Sequence, residues 1–192
     1  MLLTSGEWFL ENISLRMGEK PMADVTTSAE RVISRPREEI SREAKRLYEN
    51  CLYTSKSHFV EAHFWQNLHL WIGIPTVILA GIAGTLAFAE FRQLAGVLSI
   101  LIVVLTSITT FLNPKDQANT HRTAGNNYDA LMTRARMFWS IDCWQEDSDN
   151  VLTERLKAYA EERDRLNREC PQPFKWAFKK ARKGIEEGEA EY

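Results

Sequence analysis

The stretches Leu70–Ala89, LWIGIPTVILAGIAGTLAFA, and Gln93–Leu112, QLAGVLSILIVVLTSITTFL, decide the architecture. The first holds 14 apolar residues and three glycines in 20 positions, and the second holds 13 apolar residues in 20. No Asp, Glu, Lys or Arg occurs from Ala62 to Ala89 or from Gln93 to Pro114, and only Glu90, Phe91 and Arg92 lie between. At 1.5 Å per residue each stretch reaches about 30 Å as a helix, the thickness of a bilayer's hydrocarbon core. A buried helix of a soluble core normally keeps a polar stripe, whereas the polar residues here are Ser, Thr, Gln and one capping Asn. The pattern predicts a transmembrane hairpin with helices at about 70–89 and 93–112. About 60 residues precede it, so it does not read as a signal peptide.

The orientation follows from flanking charge. Residues 30–67 carry seven Lys/Arg and residues 113–136 carry four, while the turn carries only Arg92. Positive loops stay inside, so both termini are expected on the cytoplasmic side. Trp65 and Trp71 fall where the first helix would meet headgroups, and Phe88, Phe91 and Phe111 fall at the other boundaries. The whole chain is balanced, with 24 basic and 26 acidic residues among 192, which excludes a generally basic nucleic-acid-coating protein. Cys51, Cys143 and Cys170 form neither a CxxC pair nor an even set, which fits a reducing compartment.

Upstream, Ile40, Ala44, Leu47, Cys51, Thr54, His58, Ala62 and Trp65 recur in steps of four and three. That is one face of a helix about 45 Å long, running into the first apolar stretch, where Gly73 and Pro75 are candidates for a kink. Arg35–Pro36, followed by Glu38 and Glu39, reads as its start. Residues 1–35 read as an irregular segment: Trp8–Ile13 offers one short amphipathic turn, and Gly6, Gly18 and Pro21 interrupt anything longer. Met22 is an alternative start of translation.

Downstream, Asn113–Pro114 marks a break, after which His121, Tyr128, Ala135 and Ala124, Leu131, Phe138 repeat at intervals of seven. The acidic run Asp142–Asp149 lacks the glycine and terminal glutamate of a calcium loop and reads as a solvated, helix-capping loop. A helix from about Asn150 to Glu169 follows, with Leu152, Leu156, Tyr159, Arg163 and Leu166 on one face and Glu161–Arg165 as a favourable pair. The tail, 170–192, is basic and aromatic, then acidic. Phe174, Phe178, Ala181 and Ile185 would share a face for membrane or bundle contact, and Glu186, Glu187, Glu189 and Glu191 oppose contact with a phosphate backbone. With no β-like alternation anywhere, the fold class is all-α: domain 36–169 as a hairpin continued by long cytoplasmic helices.

No residues gather into an active site. His58, His63 and His69 lie five and six apart, unlike the i, i+4 spacing of a metal pair, and His121 sits alone on an apolar stripe, so packing or interface histidines are expected. Neither a nucleophile–base order nor a glycine-rich phosphate loop stands out, so the sequence predicts no enzyme, metal or cofactor. The hairpin offers more. Thr76, Ala80 and Gly84 form a lane of small residues suited to membrane helix packing. Ser99, Thr106 and Thr110 form a hydroxyl lane that reads either as helix–helix and back-bonding hydroxyls or as the lining of an oligomeric pore with Ile100–Leu105 as its constriction.

The minimal turn, then Phe111–Leu112–Asn113–Pro114, then Ala118, His121, Ala124, Tyr128 and Leu131 on a helix, resembles the SLATT family over roughly residues 37–169. These are two-helix membrane proteins of bacterial conflict systems, associated with second-messenger nucleotide synthetases and sensor domains, and in some branches with reverse transcriptases. The resemblance implies an inner-membrane effector that oligomerises and permeabilises the membrane in an antiviral abortive-infection response. It also implies a sensor, synthetase or reverse transcriptase encoded nearby. His121, Ala124, Tyr128, Leu131 and Phe138 are then expected at the cytoplasmic helix interface, and lipid and further copies of the chain as partners. The competing reading is a non-conducting anchor or scaffold that recruits a partner through its helical bundle.

Overall fold

The computed structural model describes residues 22–88, 91–145 and 147–189, with side chains from Pro36 onward. The elements are α1 (Met22–Ala87), α2 (Arg92–Leu112), α3 (Pro114–Ser140), a 3₁₀ turn (Asp142–Trp144), α4 (Asp149–Glu169) and α5 (Lys175–Glu186). The described residues contain no strand, so the chain is all-helical there. The turn expected at Trp8–Ile13 lies outside the described residues. Helix α1 begins at Met22 rather than at Pro36, and Pro36 and Pro75 both lie inside it. A proline inside a helix and one in its first turn leave the same mark when the residues upstream lack a 3.6 period.

Two structures share α1. Its C-terminal part packs against α2 as the apolar hairpin; the stretch from Ile40 to Gln66 packs against α3, α4 and α5 as a bundle. Asn113 divides them. It sits in the left-handed region at φ 41°, ends α2 through its N–H to the Thr109 carbonyl, and hands the chain to Pro114 at the first position of α3. Proline there needs no donor and already holds a helical φ, so the chain bends and restarts without an intervening loop.

α3 runs antiparallel to α1. Phe138 meets Ile40 and Ala44 at the far end, with Cys143 and Leu152 completing that cluster. Nearer the hairpin, Leu131, Ala135 and Tyr128 pack with Leu47, Cys51 and Leu166. The seven-residue repeat of α3 is therefore spent inside the chain, on α1. On α1 Ile40, Ala44, Leu47, Cys51, His58 and Ala62 are buried as expected, whereas Thr54 and Trp65 are only partly buried and Ser55, Ser57 and Glu61 are buried beside them. Ser55 and Ser57 are accommodated because their hydroxyls donate to the Leu52 and Tyr53 carbonyls, at 3.1 and 2.6 Å.

Three further expectations need correction. The acidic loop is not simply solvated: Arg37 donates to the carbonyls of Gln145 and Asp147 and to the Asp149 carboxylate, while Arg155 pairs with Asp147 at 3.2 Å. Cations from α1 and α4 thus hold it across the bundle's end. In the tail, the buried face of α5 is Ala177, Ala181 and Gly184, with Phe174 and Phe178 about half exposed. Small residues let α5 approach α1 closely, and Phe174 is a cap residue outside the helical period. Trp176 packs edge-on against Phe64 with ring centroids 5.2 Å apart. Arg165 lies 3.8 Å from Glu162, which also takes Arg134 at 2.7 Å, in place of the expected Glu161 pair.

Candidate functional site

Two features stand out: the surface of the hairpin and a cluster of ionisable groups buried just beneath it.

Both hairpin helices are long and apolar enough to cross a membrane, and only 6% of each apolar window is buried. This separates them from the core helix of a soluble protein, which hides most of its apolar surface. The seam between them is narrow: Ala83 and Ala95 are its buried residues, with Ile72, Thr76, Leu79 and Leu86 of α1 and Leu98, Ile102, Leu105 and Thr109 of α2 partly covered. Gly73 and Ser107 are also partly covered, and the other described residues of the two apolar stretches are exposed, including Trp71 at 78%, Val77 at 74% and Ile100 at 68%.

The residues singled out in the sequence distribute unevenly over this surface. Thr76 lies on the seam and donates to the Ile72 carbonyl at 2.7 Å, whereas Ala80 and Gly84 face away from α2. A Cβ added at Gly81 or Gly84 would meet nothing within 4 Å. Residues four apart drift about 40° around a helix per step, which carries the lane off the seam after its first member. Ser99, Thr106 and Thr110 are all exposed on α2. Ser99 donates to the Ala95 carbonyl at 2.9 Å and Thr110 to the Thr106 carbonyl at 2.8 Å, so these protons are satisfied within the helix. The oxygen lone pairs remain on the outer face.

His121, Ala124, Tyr128, Leu131 and Phe138 are each no more than 3% exposed. The interface they form is that of α3 with α1 in the same chain. Gly125, beside Ala124, lies under the Phe59 ring: an added Cβ would stand 2.9 Å from its Cε1.

The second feature was only half visible in the sequence. His58 and Glu61 of α1 are 1% exposed and His121 of α3 is 3% exposed. His58 Nδ1 stands 3.0 Å from His121 Nδ1, and His121 Nε2 stands 3.2 Å from Glu61 Oε1. Glu61 Oε2 accepts the backbone N–H of Phe174 at 2.7 Å, and its Oε1 lies 3.4 Å from the Trp65 indole N–H. The network fixes the protons. Glu61 accepts from His121 Nε2–H, so a neutral His121 presents its Nδ1 lone pair to His58 Nδ1–H. Tyr128 stacks on the His58 ring at 5.6 Å and donates to Asn167 at 2.8 Å.

Burial sets the titration of these groups. It pushes the His58 imidazole down to about 4, helped by His121, and lowers His121 against the opposing pull of Glu61. Cys51 and Tyr128 are both pushed up to about 12, chiefly by burial. Glu61 escapes a reading that steps from His58 to Ala62. It lies three residues after His58, and a step of three keeps the same face as a step of four. Among the described residues no three His, Cys, Asp or Glu side chains are placed to hold a metal ion, and His121 turns its two nitrogens to different partners.

No family model, curated protein or solved structure matches this chain.

Proposed function

We propose that the chain is a membrane effector of bacterial antiviral defence. Its hairpin crosses the inner membrane with both termini in the cytoplasm, copies associate through the hairpin, and the assembly permeabilises the membrane in an abortive-infection response. The observation that carries the reading is the bare hairpin: two membrane-length apolar helices, each with 6% of its apolar stretch buried, are left uncovered by the described residues. Lipid tails or further copies supply that cover. Two helices cannot enclose a channel, so permeability requires several subunits. Ser99, Thr106 and Thr110 face away from the seam, where a neighbouring copy could bring them to a common axis. The Gly81–Gly84 surface leaves room for a close helix contact. The defence role, and a sensor, nucleotide synthetase or reverse transcriptase as nearby partner, are supported by the resemblance to the SLATT family. The reading assigns the chain no reaction, no cofactor and no direct contact with nucleic acid.

The test is membrane potential in bacteria after controlled induction, at matched membrane levels of protein and with any neighbouring sensor supplied and triggered. Wild type should depolarise the cell promptly. Thr106→Leu should abolish depolarisation while the cross-linked oligomer persists, and Gly84→Leu should weaken the oligomer itself. Absence of depolarisation by wild type overturns the pore and leaves the anchor or scaffold. Equal depolarisation by all three proteins marks a non-specific effect of expression.

A further inference from the structure

We propose that His58, His121 and Glu61 form a proton-binding latch that holds α1, α3 and the start of α5 together and releases them when a second proton enters the cluster.

The geometry supplies the argument. The two imidazoles meet Nδ1 to Nδ1 at 3.0 Å, which demands one donor and one acceptor. With both histidines neutral, His58 donates to His121 and His121 donates to Glu61. With one added proton on His121, beside the carboxylate, the direction reverses: His121 Nδ1–H donates and His58 accepts. Both states keep every contact. A proton on each imidazole does not, because two N–H groups then point at one another and two positive charges share a site with 1–3% exposure. The contact must open.

What opens is specific. The third member, Glu61, fastens the tail by accepting the Phe174 N–H at 2.7 Å. His121 joins α3 to α1, and Arg122, its neighbour, adds a 2.8 Å bond to Gln66. Glu61 is nine residues before Leu70, about 14 Å along α1 from the apolar hairpin. The latch therefore sits where the bundle meets the hairpin, and its release frees α5 and the upper part of α3 while the distal Phe138–Leu152 cluster stays packed.

The groups facing His58 do not cancel this response. From α3 it meets His121 and Tyr128, and Glu61 on its own helix acts through His121. A recess of about 380 Å³ reaches His58 past Asn167 and Cys170 at the end of α4, the Pro171–Pro173 linker and Phe178 of α5, giving protons a route. Arg163 of α4 lines the adjoining recess with Cys51 and Tyr128. His58 is lowered from its ordinary 6.5 to about 4 in the closed state. The closed state thus binds fewer protons. Its stability is complete above about pH 6.5 and falls as pH drops from there towards 4. From His58 alone, the ratio of open to closed forms rises about tenfold between pH ~7.5 and ~5.5.

The inference rests on the fold and not on pore activity. If the proposed function holds, acidification of the cytoplasm through leaking membrane would promote opening in further copies. Hydrogen exchange, rather than depolarisation, is the readout, so the two ideas fail separately. The full chain in lipid nanodiscs is compared at about pH 7.5 and 5.5, with intrinsic exchange rates removed. Amides of α5 and of α3 around His121 should exchange about tenfold faster at the lower pH, and those around Phe138 should not. His58→Gln, which keeps a donor and an acceptor but cannot titrate, should reduce the step to less than about twofold; His63→Gln, an exposed control, should retain it. A flat wild-type profile, or a full step in His58→Gln, overturns the latch. Should His58→Gln already be unprotected at the higher pH, imidazole NMR of wild type decides. One histidine must stay neutral below pH ~5, and four histidines titrating near 6.5 would overturn the proposal.

Discussion

Glu61→Ala tests the buried cluster without reference to pH. Glu61 is 1% exposed and accepts from Phe174 N–H at 2.7 Å and His121 Nε2–H at 3.2 Å. Alanine removes both acceptors and most of the side-chain volume. Each stranded buried donor costs about 1–3 kcal/mol, and the desolvation of the lost carboxylate is returned as a partial offset. The expected net loss is about 3 kcal/mol for the segments joined at the cluster. Since 1.4 kcal/mol is a factor of ten, their amides should exchange roughly 100-fold faster in the full chain. Glu61→Gln keeps one acceptor oxygen but turns an NH₂ towards the second donor, so about 1–2 kcal/mol is expected. The pattern matters as much as the size. Loss should concentrate at the start of α5 and around His121 and spare the Phe138–Leu152 cluster, some 25 Å away along α3. An effect of Glu61→Ala below about 0.5 kcal/mol, or one spread evenly over the bundle, would refute the reasoning.

Three further outcomes follow from packing. Gly125→Ala gains about 1 kcal/mol of helix propensity but places a Cβ 2.9 Å from the Phe59 ring. Overpacking of 1–3 kcal/mol should make the net change destabilising by up to about 2 kcal/mol in thermal unfolding, and Phe59→Leu in the same chain should recover it. Phe138 is wholly buried between Ile40, Ala44 and Leu152, so Phe138→Ala should cost about 3–5 kcal/mol by urea unfolding followed by circular dichroism; a loss under 1 kcal/mol would contradict that cluster. Burial pushes the Cys51 thiol up to about 12 and covers it completely, whereas Cys170 is partly exposed. Maleimide at neutral pH should therefore modify Cys170 well before Cys51, and rapid modification of Cys51 in the folded chain would argue against the core as described.

The sequence made the hairpin legible because thirteen or fourteen apolar residues in twenty, without an ion, describe a helix that needs little tertiary information. Asn113–Pro114 was equally readable, since a left-handed cap followed by proline is a local device. The seven-residue repeat of α3 identified the buried residues but not what buries them: periodicity specifies a face, and α1 of the same chain is the partner that covers it. Glu61 and the Phe174 amide were missed for a related reason. A glutamate on a helix ordinarily reads as solvent-facing, and its burial depends on His121, 60 positions away, and on a backbone donor that carries no side-chain signature. The acidic loop was misjudged because Arg37, which holds it, is more than 100 residues distant.

The division of labour between the chain's two halves explains why the ionisable groups are where they are. The hairpin's apolar surface is non-directional: dispersion and small-residue contacts let helices pair without fixing one partner or one state. A response to conditions needs groups whose interaction changes sign or strength, and such groups are costly inside an apolar hairpin. The nearest place that is buried yet can admit a proton is the bundle directly below. There α1 runs as one helix from His58 to Ala87, with Pro75 inside it, so the helix itself is the direct path from His58 to the hairpin. The same helix thus bears the latch and the apolar surface. That placement leads to a further expectation: two glycines inserted between Gln66 and Asn67 should leave the exchange step at His121 intact while uncoupling it from cross-linking between hairpins. Persistence of both together would mean that the bundle and hairpin communicate through α3 and Asn113 instead.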